Sequence, residues 1–175
     1  MKRINDIFYS LQGEGYNTGR AAVFVRFACC NLRCPFCDTE FDTYSEMTDD
    51  EIVTAISRYP ARFVVLTGGE PTLQTDEAFV DLLHKHGFEV AMESNGTRPA
   101  PQNLDWLTVS PKTTEGTRCE VRGARIPDEI KIVYDEDTDP EVYLHPSPLT
   151  PLRYLQPCDT GDADRNTLII NRCID

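Results

Sequence analysis

The chain has 175 residues, of which 40% are hydrophobic and 26% charged, and its formal net charge is −12 at pH 7. This length predicts about one domain with a core of its own, and the acidic balance disfavours binding to a nucleic-acid backbone. No apolar run approaches the roughly 18 to 20 residues of a membrane span, and the start does not resemble a secretory signal. We therefore expect a single cytoplasmic domain, residues 1–175, that binds neither nucleic acid nor membrane.

Strands and helices alternate along the predicted chain. Short apolar or β-branched runs predict six strands, at 21–28, 62–67, 88–93, 104–110, 129–134 and 152–157. Amphipathic segments predict three helices, at 49–59, 75–86 and 163–175. This order is typical of a mostly parallel α/β sheet. Because a complete eight-fold barrel takes about 250 residues, we expect an open, partial parallel β/α barrel of about six strands with few helices.

Polar loops follow the carboxyl ends of five predicted strands. They read CNLRCPFCD, TGGEP, ESNG, SPK and QPCD in chain order. In sheets of this kind, ligands bind in the crevice at the carboxyl ends of the strands. The five loops therefore predict one active site.

Four of the seven cysteines lie within nine residues, and Cys30, Cys34 and Cys37 have the spacing C-x3-C-x2-C. Thiolates are soft ligands suited to iron–sulfur clusters. Three ligands on a cluster of four irons leave one iron free to bind and activate another molecule. We therefore expect these cysteines to hold a 4Fe–4S cluster.

Other interpretations of the cysteines remain open from the residues alone. A structural zinc site needs four ligands, and Cys29 or a distant histidine could supply the fourth. A disulfide is disfavoured in a cytosolic chain. Cys29 points away from Cys30 if the strand continues, which favours a packed thiol. A cluster-binding regulator or electron carrier is a non-enzymatic alternative.

The cysteine triplet, with Phe36 before its last cysteine, resembles the radical S-adenosylmethionine superfamily. Thr67-Gly68-Gly69-Glu70-Pro71 resembles its second signature. The resemblance implies that the amino and carboxylate groups of S-adenosylmethionine bind the open iron. Glycines let backbone carbonyl groups approach the methionyl ammonium, and the carboxylate of Glu70 favours that cation.

Further segments resemble the 7-carboxy-7-deazaguanine synthase family, from about residue 4 to residue 173. They are FYSLQGEG at 8–15, FVRF at 24–27, CDTEF at 37–41, SPK at 110–112 and QPCD at 156–159. The resemblance implies a lyase that converts 6-carboxy-5,6,7,8-tetrahydropterin to 7-carboxy-7-deazaguanine with loss of ammonia, on the route to queuosine. It also implies a 5′-deoxyadenosyl radical that takes hydrogen from C6 of the pterin and later returns it. Mg²⁺, a flavodoxin or ferredoxin as electron donor, and a homodimer are implied as well.

The same resemblance assigns roles to individual residues. The implied substrate contacts are Leu11, Gln12, Gly13, Arg26 and Thr67. The implied Mg²⁺ ligand is Thr39, through its hydroxyl. The implied S-adenosylmethionine contacts are Phe36, Asp38, Gly69, Glu93, Ser110, Pro111, Lys112, Gln156, Pro157, Cys158 and Asp159.

Several of these residues also have simpler interpretations. Arg26 could be an exposed charge on an edge strand, Thr39 a turn residue and Thr67 a cap of its turn. Glu93 could have a role only in its own loop, instead of accepting a hydrogen bond from a ribose hydroxyl. Lys131 lies in a predicted strand, either near the site or exposed.

Two departures from the family and one related enzyme class complete the expectations. Cys158 stands where the family has a larger methionine. The family continues into a further strand that helps close over the substrate, whereas this sequence stops at Asp175, which indicates a truncated or short form without that strand. A glycyl-radical-enzyme activase shares the triplet, but it acts on a protein and does not need Gln12-Gly13-Glu14-Gly15.

Overall fold

The computed structural model describes residues 1–37, 39–40, 42–114, 117–118, 125–135, 138 and 152–174. The strands are β1 (Lys2–Leu11), β2 (Ala21–Phe27), β3 (Ser45–Met47), β4 (Phe63–Gly68), β5 (Glu89–Ser94), β6 (Trp106–Val109), β7 (Thr113–Thr114), β8 (Thr117–Arg118), β9 (Glu129–Tyr134) and β10 (Leu152–Pro157). The helices are α1 (Asp49–Ile56), α2 (Glu77–Lys85) and α3 (Ala163–Ile174), with a 3-10 turn at Pro71–Leu73.

Eight strands form one open sheet in the order β10-β9-β6-β5-β4-β2-β1-β3. The six from β10 to β2 are parallel, and they are the six that the sequence predicts. β1 and β3 extend the sheet antiparallel beside β2, and β7 pairs with β8 separately. The prediction of a mostly parallel, open α/β sheet is confirmed.

The helices begin and end close to the predicted positions. The side chain of Thr48 accepts from the backbone N–H of Glu51, and the side chain of Glu51 accepts from the backbone N–H of Thr48, so the two residues form a capping box at the start of α1. Asp76 caps α2, and Gly87 follows the helix in the left-handed conformation (φ 79°). Within the described part of the chain, no helix has both the length and the apolar character that crossing a membrane requires.

The two faces of the sheet are packed differently. On one face, alternate strand residues such as Val25, Leu66 and Met92 pack with Ile52 of α1 and Phe79 of α2 into the main core. The opposite face carries a smaller apolar cluster whose members are Ala22, Phe24, Phe63, Val65 and Ala91, with Phe8 and Trp106 against it. Side chains alternate between the two faces along a strand. A residue two positions after a member of the smaller cluster therefore lies on the same face as that cluster, nearer to the carboxyl end of its strand.

That placement brings polar side chains together at the carboxyl ends of the strands. Arg26 pairs with Thr67 in the register of β2 and β4, and Glu93 pairs with Thr108 in that of β5 and β6. Thr108 in turn pairs with Glu129 of β9. These polar side chains therefore form a row across the face of the sheet that carries the smaller apolar cluster, which we call the interior face.

Candidate functional site

A cavity of about 490 Å³ lies at the carboxyl ends of the parallel strands. Its wall comes from the cysteine loop, the turn after β4, the ends of β5 and β9, and the segments after β6 and β10. Fourteen residues predicted for the site line it: Cys30, Cys34, Phe36, Cys37, Thr39, Thr67, Gly69, Glu93, Ser110, Lys112, Gln156, Pro157, Cys158 and Asp159. The five polar loops thus meet in one place.

The cysteine loop places Cys30, Cys34 and Cys37 on this wall. The backbone N–H of Leu32 donates to Cys30 Sγ at 3.4 Å, and the N–H of Cys37 donates to the carbonyl oxygen of Cys34 at 3.1 Å. Burial raises the pKa of the Cys30 thiol, against the lowering effect of the Leu32 N–H. Three thiols on one wall suit a soft metal centre, since metal binding favours the thiolate form.

Cys29 lies outside the cavity wall. Its backbone has φ 70°, in the left-handed region, and its Sγ accepts a hydrogen bond from Arg3 Nη1 at 3.7 Å. The two neighbouring thiols face different surroundings because the chain turns at Cys29 after β2 has ended.

The three cysteines suit an iron–sulfur cluster. Thiolates are soft ligands of the kind that such clusters take. A cubane needs one sulfur for each of three irons and does not need the sulfurs to converge on a point. The donor set on the cavity wall is therefore suited to a 4Fe–4S cluster.

The glycines after β4 allow two backbones to pack together. A Cβ on Gly69 would lie 2.0 Å from the carbonyl oxygen of Cys29, and a Cβ on Gly68, where φ is 112°, would lie 2.4 Å from that of Phe27. Backbone N–H groups of Gly69 and Glu70 donate to Phe27 and Cys29, each at 2.9 Å. The turn thereby fixes the start of the cysteine loop, while Gly69 also reaches the cavity.

Glu70 has a different position from the one its sequence motif suggests. Its side chain is fully buried, and it is not among the residues that line the cavity. One carboxylate oxygen accepts from the Thr72 N–H, the Thr72 hydroxyl and the Ser94 hydroxyl, and the other accepts from the Asn95 N–H at 2.8 Å. Glu70 thus joins the β4 turn to the β5 loop from a position behind the cavity wall.

A second connection ties the cysteine loop to the β5 loop. Asn95 Nδ2 donates to Asn31 Oδ1 at 3.0 Å, and Asn31 Nδ2 donates to the Thr97 hydroxyl at 2.8 Å. Asn31 follows the first cluster cysteine directly. These side-chain hydrogen bonds give the cysteine loop a second anchor besides the glycine turn.

Lys112 brings a buried cation towards the cysteine loop. Its Nζ donates to the Ser110 hydroxyl at 2.8 Å and lies 5.7 Å from the centre of the Phe36 ring. Burial lowers the pKa of Lys112, and the thiols of Cys34 and Cys37 act in the opposite direction. A cation here favours an anionic group in the cavity.

The end of β10 and the residues after it close another side of the cavity. Gln156, Pro157, Cys158 and Asp159 all line it. Asp159 accepts from the Gly161 N–H at 2.9 Å and from Asn166 Nδ2 of α3 at 2.7 Å, and these bonds lower the pKa of Asp159. Helix α3 therefore fixes the end of β10.

A charged pair on the cavity wall joins β9 to the segment between β1 and β2. Lys131 Nζ donates to Glu14 Oε2 at 2.5 Å and lies 3.6 Å from Glu93 Oε1. Burial by itself lowers the pKa of Lys131, but the carboxylates of Glu93, Glu14 and Glu129 outweigh it and raise that pKa. Lys131 is therefore a buried cation of the site. Of the two positions that the sequence left open, near the site or exposed, the structure shows the first.

Glu93 connects the charged pair to the other strands. Its Oε1 accepts from Gln12 Nε2 at 2.9 Å, and its Oε2 accepts from the Thr67 hydroxyl at 3.1 Å. The amide oxygen of Gln12 accepts from the N–H groups of Gly13 and Glu14. One carboxylate thus links β5, β4 and the segment between β1 and β2.

Some predicted residues do not line the cavity, and one is outside the described residues. Leu11, Gln12, Gly13, Arg26 and Pro111 are not part of the wall. The Arg26 guanidinium lies 5.2 Å from the centre of the Phe8 ring, beside Thr67. Asp38 lies outside the described residues.

Eight lining residues were not predicted: Glu14, Leu32, Gly68, Ser94, Asn95, Lys131, Val133 and Gly161. Lys131 carried the clearest available signal, because a lysine inside the apolar run EIKIVY must be paired when the strand is buried. Glu14 belongs to the motif Gln12-Gly13-Glu14-Gly15, but its segment does not indicate its partner, which lies 117 residues away.

Comparisons with known proteins agree with this geometry. The chain matches the family model of the Radical SAM superfamily over residues 24–126. It is 48% identical to a 7-carboxy-7-deazaguanine synthase of Bacteroides thetaiotaomicron, over 99% of the chain and 89% of that protein. It is 38% identical to one of Neisseria meningitidis, over 92% and 77%. The crystal structure of QueE from Escherichia coli superposes with a TM-score of 0.80 at 31% identity, over 99% of the chain and 89% of that structure.

Proposed function

Since the chain belongs to the 7-carboxy-7-deazaguanine synthases of the radical SAM superfamily, we propose that its reaction takes place in the cavity at the carboxyl ends of β2, β4, β5, β6, β9 and β10. The chain is a radical SAM lyase of 7-deazapurine biosynthesis, and it uses a 4Fe–4S cluster and S-adenosylmethionine. Its small-molecule substrate is 6-carboxy-5,6,7,8-tetrahydropterin, and its product is 7-carboxy-7-deazaguanine. The observation that carries the proposal is that three cysteines, Gly69 and the Ser110 to Lys112 segment share one cavity.

The three cysteine side chains would hold the cluster. When bound, the cluster and S-adenosylmethionine together supply one-electron cleavage of a carbon–sulfur bond and abstraction of a hydrogen atom from the substrate. The chain contributes an anchored cysteine loop, because backbone hydrogen bonds of Gly69 and Glu70 and a side-chain hydrogen bond of Asn95 hold it in place. Such anchoring preserves the position of the reacting groups.

The groups around the cysteines would bind S-adenosylmethionine. The Lys112 ammonium suits its carboxylate, and the Phe36 ring offers an apolar face beside it. Glu93, Gln156 and Asp159 offer oxygen acceptors for hydroxyl and amino groups. Phe36, Gly69, Glu93, Ser110, Lys112 and the 156–159 segment remain the proposed contacts, with Pro111 and Asp38 as their neighbours in the chain.

The pterin would lie on the side of Thr67 and Arg26. A guanidinium can hold the substrate carboxylate through two parallel hydrogen bonds, and Arg26 lies beside Thr67, which lines the cavity. Gln12 uses its amide to hold the N–H groups of Gly13 and Glu14, so it would shape the backbone that meets the pterin. Leu11 and Gly13 are the remaining proposed contacts.

Thr39 would be the Mg²⁺ ligand. Thr39 lines the cavity, as Cys37 does. A hydroxyl is a hard oxygen donor of the kind that Mg²⁺ accepts beside waters and substrate oxygens. An ion at this position would face a carboxylate-bearing substrate.

The partners and setting follow from the family and the chemistry. A flavodoxin or ferredoxin would supply the electron, and the whole chain would form a single radical SAM domain. A thiol-held cluster suits a reducing compartment, which favours the cytoplasm. Exposed apolar side chains on α3, namely Leu168, Ile170 and Ile174, would suit a homodimer contact.

Anaerobic reconstitution with iron and sulfide tests the proposal. The reduced protein should form 5′-deoxyadenosine from S-adenosylmethionine, and it should form 7-carboxy-7-deazaguanine once the carboxytetrahydropterin is added. Formation of 5′-deoxyadenosine without turnover of the pterin would point to another substrate, such as the protein that an activase needs. Failure to form either would remove the enzymatic role.

A further inference from the structure

Residues 12–16, which we call the strap, lie between β1 and β2 but contact the far side of the sheet. The backbone N–H of Tyr16 donates to Glu129 Oε2 of β9 at 2.8 Å. The Tyr16 ring stacks on Trp106 of β6, with 5.0 Å between ring centres. Gln12 reaches Glu93 of β5. The strap therefore crosses the interior face of the open sheet from β2 to β9, and its Glu14 forms part of the cavity wall.

Lys131 is the cation that meets the strap on this face. Its side chain is 8% exposed, against 40% for Glu14 and 23% for Glu93. In the part of the chain that the structure describes, the ion pairs of Glu14 and Glu93 are both formed with Lys131. The carboxylate of Glu129 acts on the same ammonium. One buried cation thus balances three carboxylates that lie around the strap.

We propose that Lys131 is a positioning residue for the pterin: its ammonium holds Glu14 and Glu93, and through them the strap, where the substrate binds. The inference rests on the proposed function, because strap residues Gln12 and Gly13 are among the proposed pterin contacts. Lys131 acts on the pterin through Glu14 and the strap. Its loss should affect S-adenosylmethionine less, because Glu93, a proposed contact of that cofactor, keeps its hydrogen bond from the Thr67 hydroxyl.

Removal of the cation has a directional effect. Without Lys131, the carboxylates of Glu14, Glu93 and Glu129 repel one another with no counter-ion between them. Glu14 is the most exposed of those in the ion pairs, so it moves towards solvent and takes the strap with it. The main core lies on the other face of the sheet and should not change. The cysteine loop should also stay in place, because it is held by its own hydrogen bonds to Glu70 and Asn95.

The test uses reconstituted protein loaded with S-adenosylmethionine and the oxidised analogue 6-carboxypterin as a fluorescent probe. We expect Lys131→Met to weaken probe binding by about tenfold or more, as truncation of one partner of a buried charge pair does. S-adenosylmethionine affinity and iron content should stay within about threefold of the unmodified protein. Lys131→Arg, which keeps the charge, should restore most of the probe affinity.

A second variant keeps the inference testable if Lys131→Met does not fold. Glu14→Gln has the same shape at a half-exposed position, and it should weaken probe binding in the same direction but less. Lys131→Met should then cost less affinity in the Glu14→Gln background than alone, because the two residues act through one contact. Equal losses for probe and S-adenosylmethionine, or strictly additive effects of the two changes, would overturn the inference.

The outcome is separable from that of the proposed function. Turnover of carboxytetrahydropterin by the unmodified protein tests the function. If the unmodified protein converts it and the Lys131 variants bind 6-carboxypterin normally, then only the positioning role fails.

Discussion

The Glu70 carboxylate accepts the backbone N–H of Asn95 at 2.8 Å and thereby joins the turn after β4 to the loop after β5. Both partners of this bond are buried. Asn95 also holds Asn31 in the cysteine loop. The Glu70 side chain of the signature Gly68-Gly69-Glu70 therefore organises the loops around the cavity without lining it.

Replacement of Glu70 by alanine should destabilise the protein more than a surface change does. The Asn95 N–H, the Ser94 hydroxyl and the Thr72 hydroxyl would lose their acceptor. Buried donors without partners predict a loss of about 2–4 kcal/mol in the free energy of unfolding, measurable by urea titration. Glu77→Ala, at an exposed position in the first turn of α2, is the control. Equal midpoints for the two variants would contradict the role given to Glu70.

Gly69→Ala should disturb the cysteine loop. The added Cβ would lie 2.0 Å from the Cys29 carbonyl oxygen, and the required backbone shift costs about 1–3 kcal/mol. We expect less iron per chain after reconstitution and a lower melting temperature. Gly13→Ala is the control for both readouts, because a Cβ there meets nothing within 4 Å. Normal iron content in Gly69→Ala would show that the turn does not fix the loop.

Cys30→Ser, Cys34→Ser and Cys37→Ser should each abolish stable cluster binding. A serine oxygen is a harder ligand than a thiolate and leaves one iron poorly held. Iron should fall well below the about four atoms per chain of a 4Fe–4S protein, with loss of the cluster absorption. Cys29→Ser should keep both signals, because Cys29 contacts Arg3 outside the cavity. A loss in Cys29→Ser equal to the others would make Cys29 a ligand.

Gly15→Ala should weaken pterin binding without affecting the cluster. Its Cβ would lie 2.1 Å from Glu129 Oε1, and its φ is 69°. Gly19→Ala is a matched control, since φ there is 84° but nothing lies within 4 Å, so it carries only the cost of about 1–2 kcal/mol for a left-handed alanine. We expect a loss of 6-carboxypterin affinity in Gly15→Ala that exceeds the loss in Gly19→Ala. Similar losses in the two variants would remove the Glu129 contact from the explanation.

The parallel strands could be predicted from sequence because each is a short run rich in apolar and β-branched residues. Runs such as EIKIVY and LRYLQP begin and end where β9 and β10 do. β1 was missed because its sequence, KRINDIFYSL, has no regular alternation of apolar and polar residues and places the charged Lys2 at a buried position. β3, β7 and β8 have two or three residues each, too few for a periodic pattern to emerge.

The site was predictable where chemistry is local and not where it depends on distant contacts. The cysteine spacing and the loops at strand ends identify most of the wall, because each needs only its own segment. The pairing of Lys131 with Glu14 and the hydrogen bonds of Glu70 depend on the packing of separate strands. No spacing in the sequence carries that information.

The strap also separates two stages of folding during synthesis. Its partners Glu129 and Lys131 follow Tyr16 and Glu14 by 113 and 117 residues, whereas the anchors of the cysteine loop are Phe27, Gly69 and Asn95. Because a ribosome delivers the amino-terminal part first, the anchors of that loop are available before β9 exists. We expect the cluster-holding part to take shape early, and the substrate side to be completed only when β9 joins the sheet.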